Sequence, residues 1–242
     1  MTTDRHSITV RGMPVEIVRK DIKNLHLGVY PPQGRVRVAA PLSLDDEAVR
    51  LAVVSRLGWI RRQRESFRNQ HRQSEREMVT GESHYFLCRR YRLNVIEYDA
   101  APYVHLPNRT TMELYARPGA SRDKREHILL RWYRSRMRDM LPGLLAKWEE
   151  RIGVQVAELR IKKMKTRWGT CTAHANRIWL NLELVKKPPS SLEYILVHEM
   201  VHLLERHHNH RFREHMDRLM PQWPLHREEL NRAPLAHEDW SY

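Results

Sequence analysis

The sequence predicts an α+β fold in two parts. Residues 1–117 form a β-rich N-terminal subdomain with one long helix, and residues 118–242 form a helix/sheet subdomain. Three observations predict this division. Up to residue 116 the apolar residues mostly alternate with polar ones, the period of half-buried strands. From Arg122 and again from Ser190 they recur at helical spacing. Between those two helices lie two further alternating segments, Gln155–Lys162 and Arg177–Asn181.

Residues 7–41 read as strands. Val15, Ile17 and Val18 form one apolar segment. Leu25 to Val29 and Val36 to Val38 flank the turn signal Pro31-Pro32-Gln33-Gly34, which predicts a hairpin. Ser43 is the expected start of a helix running to about Phe67, with Asp45, Asp46 and Glu47 in its first turn and Leu51, Val54, Leu57, Trp59 and Ile60 as its apolar residues. The charged run that follows to Glu77 reads as an exposed helix end or linker. After Gly81, Tyr85 to Ile96 predicts a strand pair, with Tyr91, Leu93 and Val95 on one face. Arg89, Arg90 and Arg92 interleaved with Tyr85 and Tyr91 have the composition of a nucleic-acid surface and equally that of an ordinary strand. Tyr103–Leu106 and Met112–Tyr115 are further short strands. No internal repeat is visible.

Ser121 caps the next helix, Arg122 to about Arg151, with Ile128, Leu129, Trp132, Tyr133, Met137 and Trp148 on its apolar side. Pro142 is expected to kink or divide it. Pro188-Pro189 stops the segment before it, and Ser190 with Glu193 reads as a capping box for the following helix. Leu192, Ile195, Leu196, Met200, Leu203 and Leu204 give that helix its buried face. Past Phe212, Met216, Leu219, Met220 and Trp223 indicate a short helix packing back, and Arg227 to Asn231 a last helical turn.

The chemistry is concentrated on the capped helix. His198-Glu199-Met200-Val201-His202 is an H-E-x-x-H arrangement, with two imidazoles four residues apart on one helical face, close enough to ligate one ion. Glu199 stands where it can take a proton from water. Chance alone produces such a motif roughly once in a dozen chains of this composition, so its capped, amphipathic setting is what raises it above coincidence. A catalytic zinc takes a third protein ligand. Spacing leaves His207, His208 and His210 open, and sets Glu205 above His202 and away from the ion. Cys171 reads as a small buried hydrophobe rather than a nucleophile. Asn181 reads as a strand-end residue or as a group orienting a substrate backbone.

Trp168-Gly169-Thr170-Cys171, then Ile178-Trp179-Leu180-Asn181, then the H-E-x-x-H helix with His208 and Phe212 beyond it, resembles the YgjP-like (DUF45) family of zinc metallopeptidases, related to SprT-like and minigluzincin proteins. That family's pattern runs W-G-S-C, a short strand ending near Asn, then H-E-L-x-H with a His six residues later and a Phe four further on. Thr170 replaces the Ser, Met200 the Leu, and His207 stands where Asn is common; Cys88 stands where Gly is usual. The resemblance implies a zincin-like catalytic subdomain backed by the helix before it. It implies one Zn²⁺ held by His198, His202 and His208, with Glu199 as the catalytic base and a peptide or protein as substrate. An edge strand near Gly169 would align an extended substrate, with Trp168 packed beneath the site and His210 or His207 stabilising the oxyanion. Family members have also been assigned as nucleotide pyrophosphatases acting on UTP, a reading in which Lys163, Lys165 and Arg167 would bind phosphates. No G-x-x-x-x-G-K-[ST] loop accompanies them.

Composition bounds the partners. With 43 Lys+Arg against 29 Asp+Glu the formal charge is +14, which favours polyanions, nucleic acid above all, and makes a DNA-associated accessory protein a third reading. A merely solvated basic surface has the same composition. No run of about 18 apolar residues is present, and MTTDRHSITV lacks a signal-peptide core, so a cytoplasmic protein without a membrane partner is expected. Cys88 and Cys171 are too few for a disulfide framework. Nothing in the pattern sets an oligomeric state.

Overall fold

A computed structural model describes residues 5–30, 34–69, 76–164 and 167–232. The fold is α+β, with three small sheets and six helices among the described residues. The chain divides into two compact units, and the boundary falls between Gln73 and Ser74 rather than at 117/118. The reason is packing: Leu93, Met112 and Leu114 of the second sheet share one core with Tyr133, Leu180 and Leu196 further along the chain.

In the first unit, β1 (Arg5–Val10), β2 (Met13–Lys20), β3 (His26–Tyr30) and β4 (Arg35–Pro41) form a sheet in the order β1-β2-β4-β3. β2 and β4 run parallel, and the outer pairs are antiparallel. The expected β3–β4 hairpin is present; residues 31–33 of its turn lie outside the described residues. Val15, Ile17, Val36 and Val38 pack on Val49, Val53 and Ile60 of the following helices. Those helices are two, α1 (Asp46–Ser55) and α2 (Leu57–Asn69), interrupted at Arg56. Asp45, not Ser43, caps α1, its carboxylate accepting from the Ala48 amide at 2.7 Å. Leu51 and Trp59 are exposed rather than part of the core.

The second unit begins with β5 (Ser83–Phe86), β6 (Arg89–Glu97), β7 (Tyr103–His105) and β8 (Thr111–Ala116), in the order β5-β6-β8-β7 with β6 parallel to β8. This repeats the topology of the first sheet, a repeat carried by strand pairing that leaves no trace in residue identity. Corresponding hairpins turn at Arg11-Gly12 and at Leu87-Cys88, with both residues of each pair at positive φ. Cys88, at φ 65°, therefore occupies a conformation that favours glycine. Tyr91 faces the core, so it offers no ring to a nucleic-acid base.

α3 (Arg122–Ile152) follows, capped by Ser121 and continuous through Pro142. β9 (Glu158–Lys162), β10 (Gly169–Thr172) and β11 (Arg177–Asn181) make the third sheet, ordered β10-β11-β9 with β9 parallel to β11. Only one edge of β10 is paired among the described residues. α4 (Pro189–Val201), α5 (His210–Leu219) and α6 (Trp223–Arg232) complete the unit. α4 is buried on nearly every side. Its start is set by Pro189 at the first helical position and not by a capping box. Glu193 instead accepts from Lys147 Nζ at 2.6 Å and Trp148 Nε1 at 2.8 Å, tying α4 to α3. No described helix is long and apolar enough to cross a membrane.

Candidate metal centre

Burial of Leu192, Ile195, Leu196 and Met200 fixes the rotation of α4 and turns its histidines toward a cleft of about 980 Å³. α4 ends at Val201, so His202 is its C-cap and Leu204 falls in an exposed turn instead of on the buried face. The turn carries the chain back, and Asn209 opens α5 by accepting from the Phe212 amide at 3.1 Å. This reversal brings His208 to His198 and His202.

The three imidazoles converge, and their ligand atoms all lie within 4.8 Å of one another. Nε2 of His198 and Nε2 of His208 are 2.9 Å apart. That contact requires one ring to carry its proton on Nε2, or a cation between the two lone pairs. Tetrahedral zinc, bonded to each nitrogen at about 2.0–2.1 Å, separates its ligand nitrogens by about 3.3 Å, close to this spacing. His202 Nδ1 lies 3.1 Å from the Glu205 carbonyl oxygen, which can accept only from a protonated Nδ1, so Nε2 keeps its lone pair. Phe212, itself buried, packs its ring 4.9, 4.7 and 4.7 Å from the rings of His198, His202 and His208. One residue thus braces all three donors. Burial, with the neighbouring imidazoles His202 and His208, pushes the His198 pKa down to about 3, and burial also lowers those of His202 and His208. Neutral imidazole is the form that ligates a metal, so the donor set fits a divalent ion.

Glu199 is buried beside this cluster, and burial raises its pKa to about 8 while the Arg167 charge opposes the rise. Its side chain lies against Gly169 of β10. A Cβ on that glycine would stand 2.7 Å from both Cγ and Oε1 of Glu199. The backbone of β10 therefore approaches the carboxylate as closely as it does only because residue 169 has no side chain. Gly169, Thr170, Cys171 and Thr172 all line the cleft.

Other expectations are redistributed. His207 and His210 do not line the cleft; His210 is exposed and pairs with Glu214 at 3.4 Å. Glu205 accepts from the His207 amide at 3.3 Å and lies outside the cluster. Asn181 is structural: its side-chain amide donates to the carbonyls of Met164 and Arg167, both at 2.8 Å, and pins the segment leading into β10. Burial, with a contribution from Glu199, raises the Cys171 pKa to about 11, which leaves it a thiol. Lys163 pairs with Glu126 at 3.6 Å, and Lys165 lies outside the described residues. Sequence reasoning missed Tyr194, Arg206 and Arg227, all of which line the cleft. Tyr194 was findable, since it precedes His198 by one helical turn; the arginines reach the cleft only through tertiary folding.

Comparison with known proteins places this geometry. A solved structure, that of the metallopeptidase zymogen of Pyrococcus abyssi abylysin, is 21% identical, covers 38% of this chain and 91% of its own, and superposes with a TM-score of 0.36. No curated protein matches. The model of the YgjP-like metallopeptidase domain matches residues 23–233. With that match running through the second sheet, the edge strand and the histidine cluster, the chain belongs to the YgjP-like metallopeptidase family, a family of metal-dependent hydrolases.

Proposed function

We propose that the protein is a zinc-dependent peptidase whose ion is held by His198, His202 and His208 and whose general base is Glu199. The observation that carries this reading is the juxtaposition of three converging imidazoles, a buried carboxylate and an unpaired strand edge in one cleft. A bound zinc ion supplies Lewis acidity, polarising a carbonyl and acidifying water. Glu199 takes the proton from the attacking water on a carboxylate oxygen and returns it to the departing amine. Residues 169–172 offer main-chain groups to an extended peptide, which aligns its backbone along β10. Tyr194, at 3% exposure, lines the cleft next to His198.

The test is Glu199→Gln. One zinc ion per chain should remain while peptide hydrolysis falls by several orders of magnitude. Unchanged turnover would exclude Glu199 as the base. Of the residues the pyrophosphatase reading needs, Arg167 lines the cleft, whereas Lys163 does not and pairs with Glu126.

A further inference from the structure

The cleft walls carry charge that neither the proposed ligand set nor the proposed base uses. Arg167 precedes β10, Arg206 follows the turn after α4, and Arg227 lies on α6; all three line the cleft. Among the described residues, the only carboxylate lining the cleft is that of Glu199, which is buried. Among the described residues no ion pair joins Arg167, Arg206 or Arg227 to a carboxylate. Arg227 is steadied by the Trp223 ring, 5.6 Å from its guanidinium carbon. Three exposed guanidiniums around one cleft make a positive, salt-screened field, and arginine pairs with a carboxylate through two parallel hydrogen bonds.

Strand geometry says where that field falls on a peptide. Gly169 is the β10 residue against Glu199, which marks the height of the bond to be cut. Arg167 lies two residues earlier, just outside the strand and at most about 7 Å away along the chain. A peptide paired antiparallel to β10 runs from Thr172 toward Gly169, so the residues that pass Arg167 are those following the cut bond. We propose that the enzyme selects acidic peptides, with Asp or Glu in the first three positions on the C-terminal side of the scissile bond facing Arg167, and with Arg206 and Arg227 favouring further acidic residues nearby. This rests on the peptidase reading.

The experiment uses the full chain loaded with zinc and matched peptides differing only in those positions: Glu, Gln or Lys, each with a free or an amidated C-terminus. One charge-assisted pair corresponds to roughly tenfold to a hundredfold in affinity. The Glu peptides should exceed the Gln peptides at least tenfold in kcat/KM at low salt, with the gap closing as salt rises, and product masses should put Glu after the cut. Arg167→Glu should move the preference to the Lys peptides, a reversal that loss of structure does not produce. Binding of a labelled acidic peptide to Glu199→Gln, followed by fluorescence anisotropy, should show the same order without turnover. Equal cleavage of Glu, Gln and Lys peptides overturns the acidic preference and leaves the peptidase reading standing. A preference that follows the free C-terminus alone assigns the arginines to a terminal carboxylate and also overturns it. Cleavage of no peptide, with release of pyrophosphate from nucleoside triphosphates, overturns both.

Discussion

Gly169→Ala tests the coupling between the edge strand and the Glu199 carboxylate, the proposed base. Gly169 is absent from the positive-φ glycines, so alanine suits its backbone and the substitution isolates the side-chain contact. The new Cβ would stand 2.7 Å from Glu199 Cγ and Oε1 and 2.9 Å from Cδ. Carbon atoms in ordinary contact are about 3.5 Å apart, so carboxylate and strand must separate by about 0.8 Å. Glu199 is buried, which leaves little room for its side chain to yield without moving relative to the imidazoles. A displacement of about 1 Å in a reacting group costs on the order of 10²-fold in rate, which sets the expected loss in kcat. Crowding should cost about 1–3 kcal/mol of stability. Metal content should stay at one ion, because the nearest atoms to the new methyl all belong to Glu199. The assay pairs steady-state hydrolysis of a fluorogenic peptide with metal analysis and a thermal melt. A folded, metal-replete Gly169→Ala enzyme with wild-type kcat would refute the claim that residue 169 must be bare for Glu199 to act.

Three further outcomes follow from the same geometry. His208→Ala should lose the ion, whereas His207→Ala and His210→Ala should keep it, as read by metal analysis after gel filtration; retention in His208→Ala would send the third ligand elsewhere. Phe212→Ala removes the ring braced against all three imidazoles, and should cost about 3–5 kcal/mol of stability and weaken metal affinity in a chelator competition. Burial depresses the Lys187 pKa to about 8 from 10.5. The unfolded chain therefore binds the extra proton between those values, and the charged lysine destabilises the fold below pH 8 but not above 10.5. The stability of Lys187→Met relative to the parent should therefore fall by about 3 kcal/mol between pH 7 and pH 10.5 in denaturant titrations. A difference independent of pH would contradict that origin.

Much of the candidate site's geometry was legible because it is local. His198, Glu199 and His202 are presented by one turn of helix, and the apolar periodicity of α4 orients them. His208 was harder, since it arrives through a turn whose geometry depends on α4 ending at Val201 and on Asn209 capping α5. Spacing offered three histidines there, and only the family pattern preferred one. The capping box failed because Glu193 finds stronger partners in Lys147 and Trp148, residues distant in sequence. In the same way Asn181 resembles a substrate-orienting residue until its amide is seen to hold the carbonyls of Met164 and Arg167. The long N-terminal helix is broken at Arg56, and the topological repeat of the two four-stranded sheets is invisible in residue identity, because strand order depends on pairing and not on sequence similarity. The arginines of the cleft come from the segment before β10, the turn after α4 and helix α6, which no sequence window joins.

The central claim, that one metal ion sits among His198, His202 and His208 with Glu199 beside it, is tested most directly by locating the metal. Crystals of the protein purified with its native metal, measured at the zinc absorption edge, should give a single anomalous peak per chain, about 2.0–2.1 Å from Nε2 of each of the three histidines. A peak bound through His207 or His210, or full hydrolytic activity in protein with no peak at this cluster, would contradict it.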